Sequence, residues 1–467
     1  MIAAAFAAAI LVVAAAAGAA TFTSGQNAAL YGIARDTRQF YGADVDPVTH
    51  LPLDNLGPGS VRGTYTSAAN VGVYLWAIVA TRDLGLIRTS AADQLASSTL
   101  NEVSTLKRYD GFMYQWYDTS NGDVLLNPGQ GDCDETTPMQ DNCWFVSAVD
   151  NGWYATGLIE VKRALPAVRE LADSLLKPMD VSIFYDNRPQ TDCNVNASLG
   201  GQPTGQMYGG FYVDQGPAGY HNGALYSDPR IAMYIGMGRH QMPGDVWWRT
   251  WRTYPPKRCA TDPSPSSFSP GTGYWHTYTD PQSGKQFPVW EGHYRFGSPP
   301  TPSLTFVPTF DGGMFEGLMA NLVVPETEWG PHSLGLDDLR WAQVQVKYAT
   351  QELGYPVWGM SPSSTADDTG DYGGFGVEGQ AFGTGSPLAW CVSTDCATET
   401  TVSPHASAIA LPVLGSEALL NLEKLRTLYP GVYTSDGGFY DAVNPVTGAV
   451  GHRRGCISGP RRCRSTS

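Results

Sequence analysis

Four segments of the sequence set carboxylates among glycine and aromatic residues. They contain Asp150 in VDNGWYATG, Asp228 in YSDPRIAMY, Glu316 in TFDGGMFEGLM, and Asp371 with Glu378 in GDYGGFGVEG. Hydrolysis of a glycosidic bond needs two carboxyl groups, one protonated to assist the leaving oxygen and one ionised to attack or to activate water. Because apolar surroundings raise the pKa of a carboxyl group, one of these acids can stay protonated near neutral pH. The four segments therefore favour acid–base chemistry on a sugar.

Each of these acids also has a structural interpretation. Glu316 adjoins an apolar stripe at helical spacing, where a charge is costly unless it is paired, so the alternative is a buried ion pair with an arginine. Asp150 could instead cap the helix that follows it. Asp228 could do the same, with Pro229 in the first helical position. Glu378 could be an ordinary loop acid.

The composition restricts the class of substrate. Hydrophobic residues make up 42% of the 467 residues and charged residues 16%, as in a globular protein. The net charge of -15 disfavours nucleic acid, anionic lipid and anionic polysaccharide as partners. We therefore expect a neutral oligosaccharide or polysaccharide substrate and a monomeric protein. The candidate surfaces for stacking against sugar rings are Trp116, Trp153, Tyr154, Tyr220 and Trp358.

Other familiar sites are excluded by their motifs. The sequence has no H-E-x-x-H, no P-loop and no G-x-S-x-G. GFGVEG fits G-x-G-x-x-G, but the acidic, turn-rich DDTGDY precedes it where a dinucleotide site requires an apolar strand. No metal and no cofactor are expected.

The N-terminal segment and the cysteines bear on localisation. Residues 1–20, MIAAAFAAAILVVAAAAGAA, resemble a signal peptide without its usual basic start; an N-terminal membrane anchor is the alternative. We expect a secreted protein, and disulfides that pair Cys133 with Cys143 and Cys391 with Cys396.

Helical periodicity dominates the rest of the chain. Helices are predicted over 66–87, 90–109, 150–165, 166–179, 227–239, 312–324, 337–353 and 415–429. A Gly-Phe phrase with an acid recurs between them, at Asp110, Gly209 and Asp436, which predicts helical hairpins joined by equivalent loops. The fold class is then all-α, an (α/α)6 barrel. The segment Ala260–Pro302, rich in Pro, Ser, Tyr and Trp, is predicted to form a structured loop over the cleft.

Several phrases resemble the glycoamylase-like domain of bacteria, which is related to endo-β-1,2-glucanases and to the transglycosylase region of cyclic β-1,2-glucan synthases. They are TFDGGMFEGLM, PVWGMSPSS, YGGFGVEG, VSPHASAIALPVL and DGGFYDAVNPVTG, and the resemblance runs from Tyr65 to His452. It implies an (α/α)6 barrel that uses carboxylates on β-linked glucans. The domains expected are a signal peptide (1–20), an N-terminal extension (21–64), one catalytic domain (65–452) and an atypical basic tail (453–467).

The resemblance also implies roles for individual residues. Asp228 takes the general-acid position, where the related glucanases generally have Glu, and Glu316 matches the MFE motif of the synthases. Asp150 matches the acid of VDNG, and Tyr440 and Asp441 lie with Phe439 at the rim of the cleft. The residues expected to bind substrate are Trp116, Trp153, Tyr154, Tyr220, His221, Arg230, Trp358, Glu378, His405, Tyr440 and Asp441.

The ending GHRRGCISGPRRCRSTS departs from the family, whose members close the ring with a helix that contains an LDQ-like phrase. We therefore expect a barrel that lacks its last helix. Two other functions stay open at this point. One is a polysaccharide lyase, which the acidic charge disfavours, and the other is a carbohydrate-binding protein without activity.

Overall fold

The computed structural model describes residues 22–57, 62–128, 131–134, 142–188, 205–221, 225–250, 252, 273–296, 304–309, 312–366, 372–377 and 401–454. The predicted signal peptide, the tail beyond residue 454, the pair Cys391–Cys396, Asp371 and Glu378 lie outside these ranges.

The described chain is mostly helical, as predicted. Each predicted helix is present, mostly with bounds that differ by a few residues, and α1, α7, α9, α11 and α12 were not predicted. The helix predicted over 312–324 is an α-helix only at Met314–Leu318 and continues as a 3₁₀ helix at Met319–Leu322. The α-helices are α1 (Ser24–Ala43), α2 (Ala68–Asp83), α3 (Thr89–Thr105), α4 (Ala148–Ala164), α5 (Arg169–Leu176), α6 (Arg230–Gly238), α7 (Val246–Arg249), α8 (Met314–Leu318), α9 (Glu326–Trp329), α10 (Leu334–Lys347), α11 (Pro404–Ile409), α12 (Leu411–Leu414) and α13 (Ser416–Leu428).

Side-chain caps fix where three of these helices begin. The Thr23 hydroxyl accepts the N–H of Gln26 in a capping box at the start of α1. Ser67 caps α2 by accepting the N–H of Asn70, and Ser147 caps α4 by accepting the N–H of Asp150. Asp150 is therefore the third residue of its helix and not the cap, which corrects the structural alternative drawn from the sequence.

The strands are short and pair antiparallel. They are β1 (Asn55–Leu56), β2 (Tyr65–Thr66), β3 (Arg108–Tyr109), β4 (Phe112–Met113), β5 (Tyr117–Asp118), β6 (Phe145–Ser147), β7 (Gly210–Tyr212), β8 (Gly216–Pro217), β9 (Gly273–Thr279), β10 (Gln286–Gly292), β11 (Tyr294–Phe296), β12 (Leu304–Phe306), β13 (Ser363–Ser364), β14 (Tyr372–Gly373), β15 (Tyr433–Thr434), β16 (Gly438–Phe439) and β17 (Arg453–Arg454). The longest pair, β9 with β10, forms a hairpin within the segment predicted to be a structured loop.

The centre of the helical packing is the crossing of α2 and α4. A Cβ added at Gly72 would lie 2.3 Å from the carbonyl oxygen of Trp153, and one added at Gly157 would lie 2.4 Å from that of Gly72. Only glycine permits so close an approach of two helix backbones. This contact sets the distance between the starts of α2 and α4.

Helix α1, in the stretch expected to be an N-terminal extension, packs between the first and last helices of the described core. The Gln26 amide donates to the Ser416 hydroxyl at the start of α13 (3.0 Å), and Tyr433 donates to the Asp36 carboxylate (2.7 Å). On the other side the rings of Tyr41 and Tyr74 lie 6.1 Å apart, which joins α1 to α2.

One of the two predicted disulfides lies within the described ranges. Cys133 and Cys143 form a disulfide with a Cα–Cα distance of 5.8 Å, as predicted. None of the helices within the described ranges combines the length and apolar character that crossing a bilayer requires.

If α1 is part of the folded core, truncating its buried face should destabilise the whole protein. Phe40 is buried and contacts the Tyr41 ring at 5.2 Å, so Phe40→Ala should lower the free energy of unfolding in urea by about 3–5 kcal/mol. Tyr31→Ala on the exposed side of the same helix is the matched control and should change it little. Equal, small effects of both variants would contradict this packing.

Candidate active site

The polar residues predicted to do chemistry gather where helices begin. Asp150 and Glu316 are each the third residue of their helix, α4 and α8. His405 is the second residue of α11, and Asp228 lies two residues before α6. These helix starts therefore define the candidate active site.

Contacts between neighbouring helices bring these starts together. A Cβ at Gly152 of α4 would lie 3.2 Å from the backbone nitrogen of Ala232 in α6. The Phe315 ring of α8 lies 6.1 Å from the ring of Trp153 in α4 and 6.1 Å from that of His405 in α11. Phe315 thus lies between two predicted site residues and directly precedes a third.

Glu316 is held by the segment before α6. It is only 5% exposed, and its Oε1 accepts a hydrogen bond from the Ser227 hydroxyl at 2.7 Å. The start of α8 is fixed as well, because the N–H of Met314 bonds the Met360 carbonyl (2.8 Å) and the N–H of Phe315 bonds the Ser361 hydroxyl (3.0 Å). The carboxylate is therefore presented on a backbone that has little freedom.

The approach to α8 requires the glycine at position 312. Its φ of +82° is in the left-handed region, and a Cβ there would lie 2.9 Å from the Val377 backbone nitrogen. The Gln345 amide donates to the Gly312 carbonyl (2.9 Å), and the Trp341 indole donates to the Gly313 carbonyl (3.2 Å). Gly312 thus lets the chain turn sharply before Glu316.

Asp150 has the environment of a carboxyl group that is easily protonated. Its Oδ2 accepts a hydrogen bond from the Gln115 amide at 3.0 Å, whereas its buried Oδ1 accepts none within the described chain. Burial raises the pKa of Asp150, and the hydrogen bonds from Ser147 and Gln115 counteract this only in part. Asp150 is thus suited to hold a proton that a general acid must give up.

Asp228 lies beside the residue that binds Glu316. Helix α6 begins at Arg230 and has no side-chain cap, so Asp228 is not the helix cap that the sequence allowed as an alternative. The side chain is half-buried, next to Ser227. Because Ser227 directly precedes Asp228 and donates a hydrogen bond to Glu316, it links the two acids.

Arg230, predicted to bind substrate, is buried in the core and links α6 to α8. Its guanidinium forms two hydrogen bonds with Glu326 (2.8 and 3.0 Å), and further ones with the carbonyls of Gly317 (2.6 Å) and Leu225 (3.3 Å). Gly317 directly follows Glu316, and Leu225 lies two residues before Ser227. Arg230 therefore fixes both partners of the Ser227–Glu316 hydrogen bond.

The predicted sugar-stacking side chains are mostly buried. Trp116, Trp153, Tyr154 and Trp358 are all core residues, and Trp116 makes an edge contact with Tyr65 at 5.5 Å. Only Tyr220, 55% exposed, presents its ring openly to solvent.

His221, the neighbour of Tyr220, belongs to a separate polar cluster. Its Nε2 lies 2.8 Å from the Asp186 carboxylate, which the Arg188 guanidinium also binds at 2.7 Å. Although burial raises the pKa of Asp186, the hydrogen bonds from Arg188 and His221 outweigh it and bring the pKa well below its usual value. Asp186 therefore stays ionised and holds His221 in place.

His405 and Asp441 come together at the start of α11. Nδ1 of His405 lies 3.5 Å from Oδ1 of Asp441, and Oδ2 of Asp441 accepts the N–H of Ser364 at 2.7 Å. Burial lowers the pKa of His405 despite this carboxylate, so the imidazole is neutral near pH 7. The ring of Tyr440, which directly precedes Asp441, lies under the Arg453 guanidinium, whose central carbon is 3.9 Å from the ring centroid.

Ser227 and Gln115 were not singled out from the sequence, although both contact a predicted acid. Ser227 stood in the quoted phrase YSDPRIAMY and could have been noticed; nothing in the sequence around Gln115 signals its contact with Asp150.

Within the described ranges, no three His, Cys, Asp or Glu side chains come together as a metal site would require.

Comparisons with known proteins agree with the motifs. Residues 334–458 match the family model "Glycoamylase: Putative glucoamylase". Over 132 residues the chain is 30% identical to the cyclic β-(1,2)-glucan synthase NdvB of Rhizobium meliloti. The resemblance to glycoamylase-like proteins is confirmed. The match to the synthase covers 28% of this chain but only 4% of the synthase, so the chain spans a small part of that protein's length.

Solved glycoamylase-like structures share the fold over almost the whole chain. A protein of the same description from Bacteroides caccae superposes with a TM-score of 0.60 at 15% identity, covering 93% of this chain and 91% of that one. An endo-β-1,2-glucanase from Chitinophaga pinensis gives 0.59 at 12% identity, with coverages of 94% and 91%. An endo-β-1,2-glucanase mutant from Talaromyces funiculosus, solved with β-1,2-glucan, gives 0.59 at 12% identity, with coverages of 94% and 85%.

The role of Arg230 in the core leads to a stability prediction. Arg230→Met should lower the free energy of unfolding by about 3–5 kcal/mol, because Glu326 would stay buried without its charged partner. The double variant Arg230→Met, Glu326→Gln should recover part of that loss, since no charge is then left unpaired.

Lys162→Met, which breaks the more exposed pair with Asp173, is the control and should change the unfolding free energy little. Urea titrations of the four proteins measure these effects. A single Arg230 variant as stable as the Lys162 variant would contradict the role assigned to Arg230.

Proposed function

We propose that this protein is a glycoside hydrolase or transglycosylase that acts on a neutral β-glucan, with β-1,2-linked glucan as the preferred substrate. The observation that carries the proposal is the convergence of Asp150, Asp228 and Glu316 at helix starts that contact one another. The endo-β-1,2-glucanase structures, which share the fold, support the choice of glucan. The net charge of -15 supports a neutral chain over an anionic one.

The proposed roles follow from the surroundings of each acid. Asp150, whose pKa burial raises, is suited to protonate the leaving oxygen. Glu316, which accepts the Ser227 hydrogen bond, is suited to act as the ionised partner that attacks or activates water. Asp228, next to Ser227, is the alternative general acid that the family resemblance implies. The chemistry requires no cofactor.

The proposal extends to the architecture and the location. Helices α2 to α13 are proposed to form an (α/α)6 barrel as one catalytic domain, with α1 packed against its first and last described helices. We propose that the protein acts outside the cytoplasm as a monomer. The Cys133–Cys143 disulfide supports export, because such bonds persist in oxidising compartments.

Replacing Glu316 separates catalysis from folding. Glu316→Gln removes the carboxylate, so glucan cleavage should fall by about 10²–10⁴-fold or more. The variant keeps the size of the side chain and its hydrogen bond to Ser227, so the melting temperature should be nearly unchanged. Glu423→Gln on the exposed face of α13 is the control and should leave both unchanged. A Glu316 variant that still cleaves glucan but unfolds early would assign Glu316 to structure alone.

The role of Asp150 predicts a shift in the pH profile. The Gln115 amide stabilises the ionised form of Asp150, so Gln115→Leu should raise the pKa of Asp150 further. If Asp150 is the general acid, the alkaline limb of kcat/KM then moves to higher pH. Gln241→Leu, which loses bonds only to backbone groups, is the control. A limb that stays in place, or moves to lower pH, would show that Asp150 is not the acid.

A panel of glucans separates the proposed function from the alternatives left open by the sequence. New reducing ends from β-1,2-glucan indicate a hydrolase, and changed chain lengths at a constant number of reducing ends indicate a transglycosylase. An unsaturated product that absorbs in the ultraviolet would indicate a lyase. Binding without any product would indicate a binding protein.

A further inference from the structure

The hairpin of β9 and β10 carries a row of aromatic side chains that the proposed chemistry does not use. Tyr274, His276 and Tyr278 alternate along β9, so they lie on one face of the strand. Neighbouring ring centroids lie 6.4 Å apart for the first pair and 4.4 Å for the second. At about 3.3 Å per residue the row is about 13 Å long, which exceeds one sugar ring.

The outer part of this row faces solvent. Tyr274 is 57% exposed, and His276 is exposed as well. Single exposed rings are common on protein surfaces, whereas adjacent exposed rings form a patch of the kind that marks a binding site.

The inner part of the row is anchored to helix α7. Tyr278 contacts the Trp248 ring at 5.4 Å, and Trp248 stacks on Phe287 of β10 at 6.4 Å with an interplanar angle of 10°. The Arg249 guanidinium lies 5.3 Å from the Phe287 ring centroid. Because these contacts fix the hairpin against a helix, a ligand would not have to pay the entropy of ordering it.

The anchor continues toward the active site. Trp247 of α7 stacks on Tyr234 of α6 at 5.8 Å, and α6 is the helix whose start carries Arg230 and follows Asp228. The hairpin is therefore joined through α7 to the helix that positions Glu316.

The chemistry of the row favours a carbohydrate. Strand β9 contains no acidic or basic residue besides His276, and each exposed ring joins an apolar body to a polar atom. Such rings suit a ligand with apolar C–H faces and many hydroxyls.

We propose that Tyr274 and His276, continued by Tyr278, form a second binding surface for a neutral glucan chain, outside the catalytic carboxylates. This proposal deepens the function proposed above by adding a surface that holds the polymer. Binding at this second surface does not require cleavage of the glucan.

Affinity electrophoresis through gels that contain β-1,2-glucan tests this surface in the full-length chain. The parent protein is Glu316→Gln, which prevents turnover during the run. Adding Tyr274→Ala should raise the apparent Kd for the glucan about tenfold, a loss of about 1.4 kcal/mol. Adding Trp329→Ala instead, which removes another exposed aromatic ring, should leave the Kd unchanged.

A conservative variant distinguishes ring stacking from a structural role. Tyr274→Phe keeps the ring and should bind like the parent. Equal retardation of the Tyr274→Ala variant and the parent would overturn the proposal, and so would a parent that glucan does not retard. A wild-type chain that cleaves no glucan but is retarded through Tyr274 would refute the proposed catalysis and leave this surface standing.

Discussion

The buried ion pair between Arg230 and Glu326 is the interaction on which the geometry of the candidate active site depends. Arg230 is only 1% exposed, yet it bonds both the carbonyl after Glu316 and the segment that ends in Ser227. A buried guanidinium is tolerated only with its hydrogen bonds satisfied, so α6 cannot separate from α8 and α9 without leaving a charge unpaired in the apolar core. The position of Glu316 relative to Asp228 follows from this constraint.

The same core shows how the fold distributes charge among its buried acids. Glu326 is paired with Arg230, while burial and the neighbouring Glu326 raise the pKa of Asp338 well above its usual value. Burial raises the pKa of Asp337 to about 7, although it accepts the N–H of Val307. Protonated acids in the core lower the electrostatic cost of burial. Burial likewise raises the pKa of Asp150 at the start of α4, where a bound proton could be given to a leaving group.

Much of the fold was predictable because the helices are strongly periodic and several start with a Ser or Thr cap. The segment 150–165 was predicted and α4 spans Ala148–Ala164; the shift arises because Ser147, and not Asp150, is the cap. The hairpin of β9 and β10 was missed, because neither strand alternates regularly between apolar and polar residues and both lie in a Pro- and Ser-rich segment that resembles a loop. Helix α1 was missed because its pattern adjoins a long apolar run that dominated the interpretation of the N-terminus.

The contacts of the candidate site were only partly predictable. Residue type and context picked out Asp150, Asp228 and Glu316 as candidates, because acids among apolar and glycine residues are rare, and their roles stay predictions. The partners of Arg230 could not be predicted, because Glu326 and Gly317 lie 96 and 87 residues away from it in the sequence. Likewise the aromatic residues expected to stack on sugar are largely buried, because a single sequence does not distinguish a core tryptophan from one at a cleft.

The central claim is that the helix starts bearing Asp150, Asp228 and Glu316 form one site for a β-glucan. A crystal structure of the Glu316→Gln protein soaked with a β-1,2-linked oligosaccharide tests it most directly. We expect a glycosidic oxygen within hydrogen-bonding distance of Asp150 or Asp228, with the side chain at position 316 in contact with the same sugar unit. An oligosaccharide bound elsewhere, with these three side chains out of its reach, would contradict it.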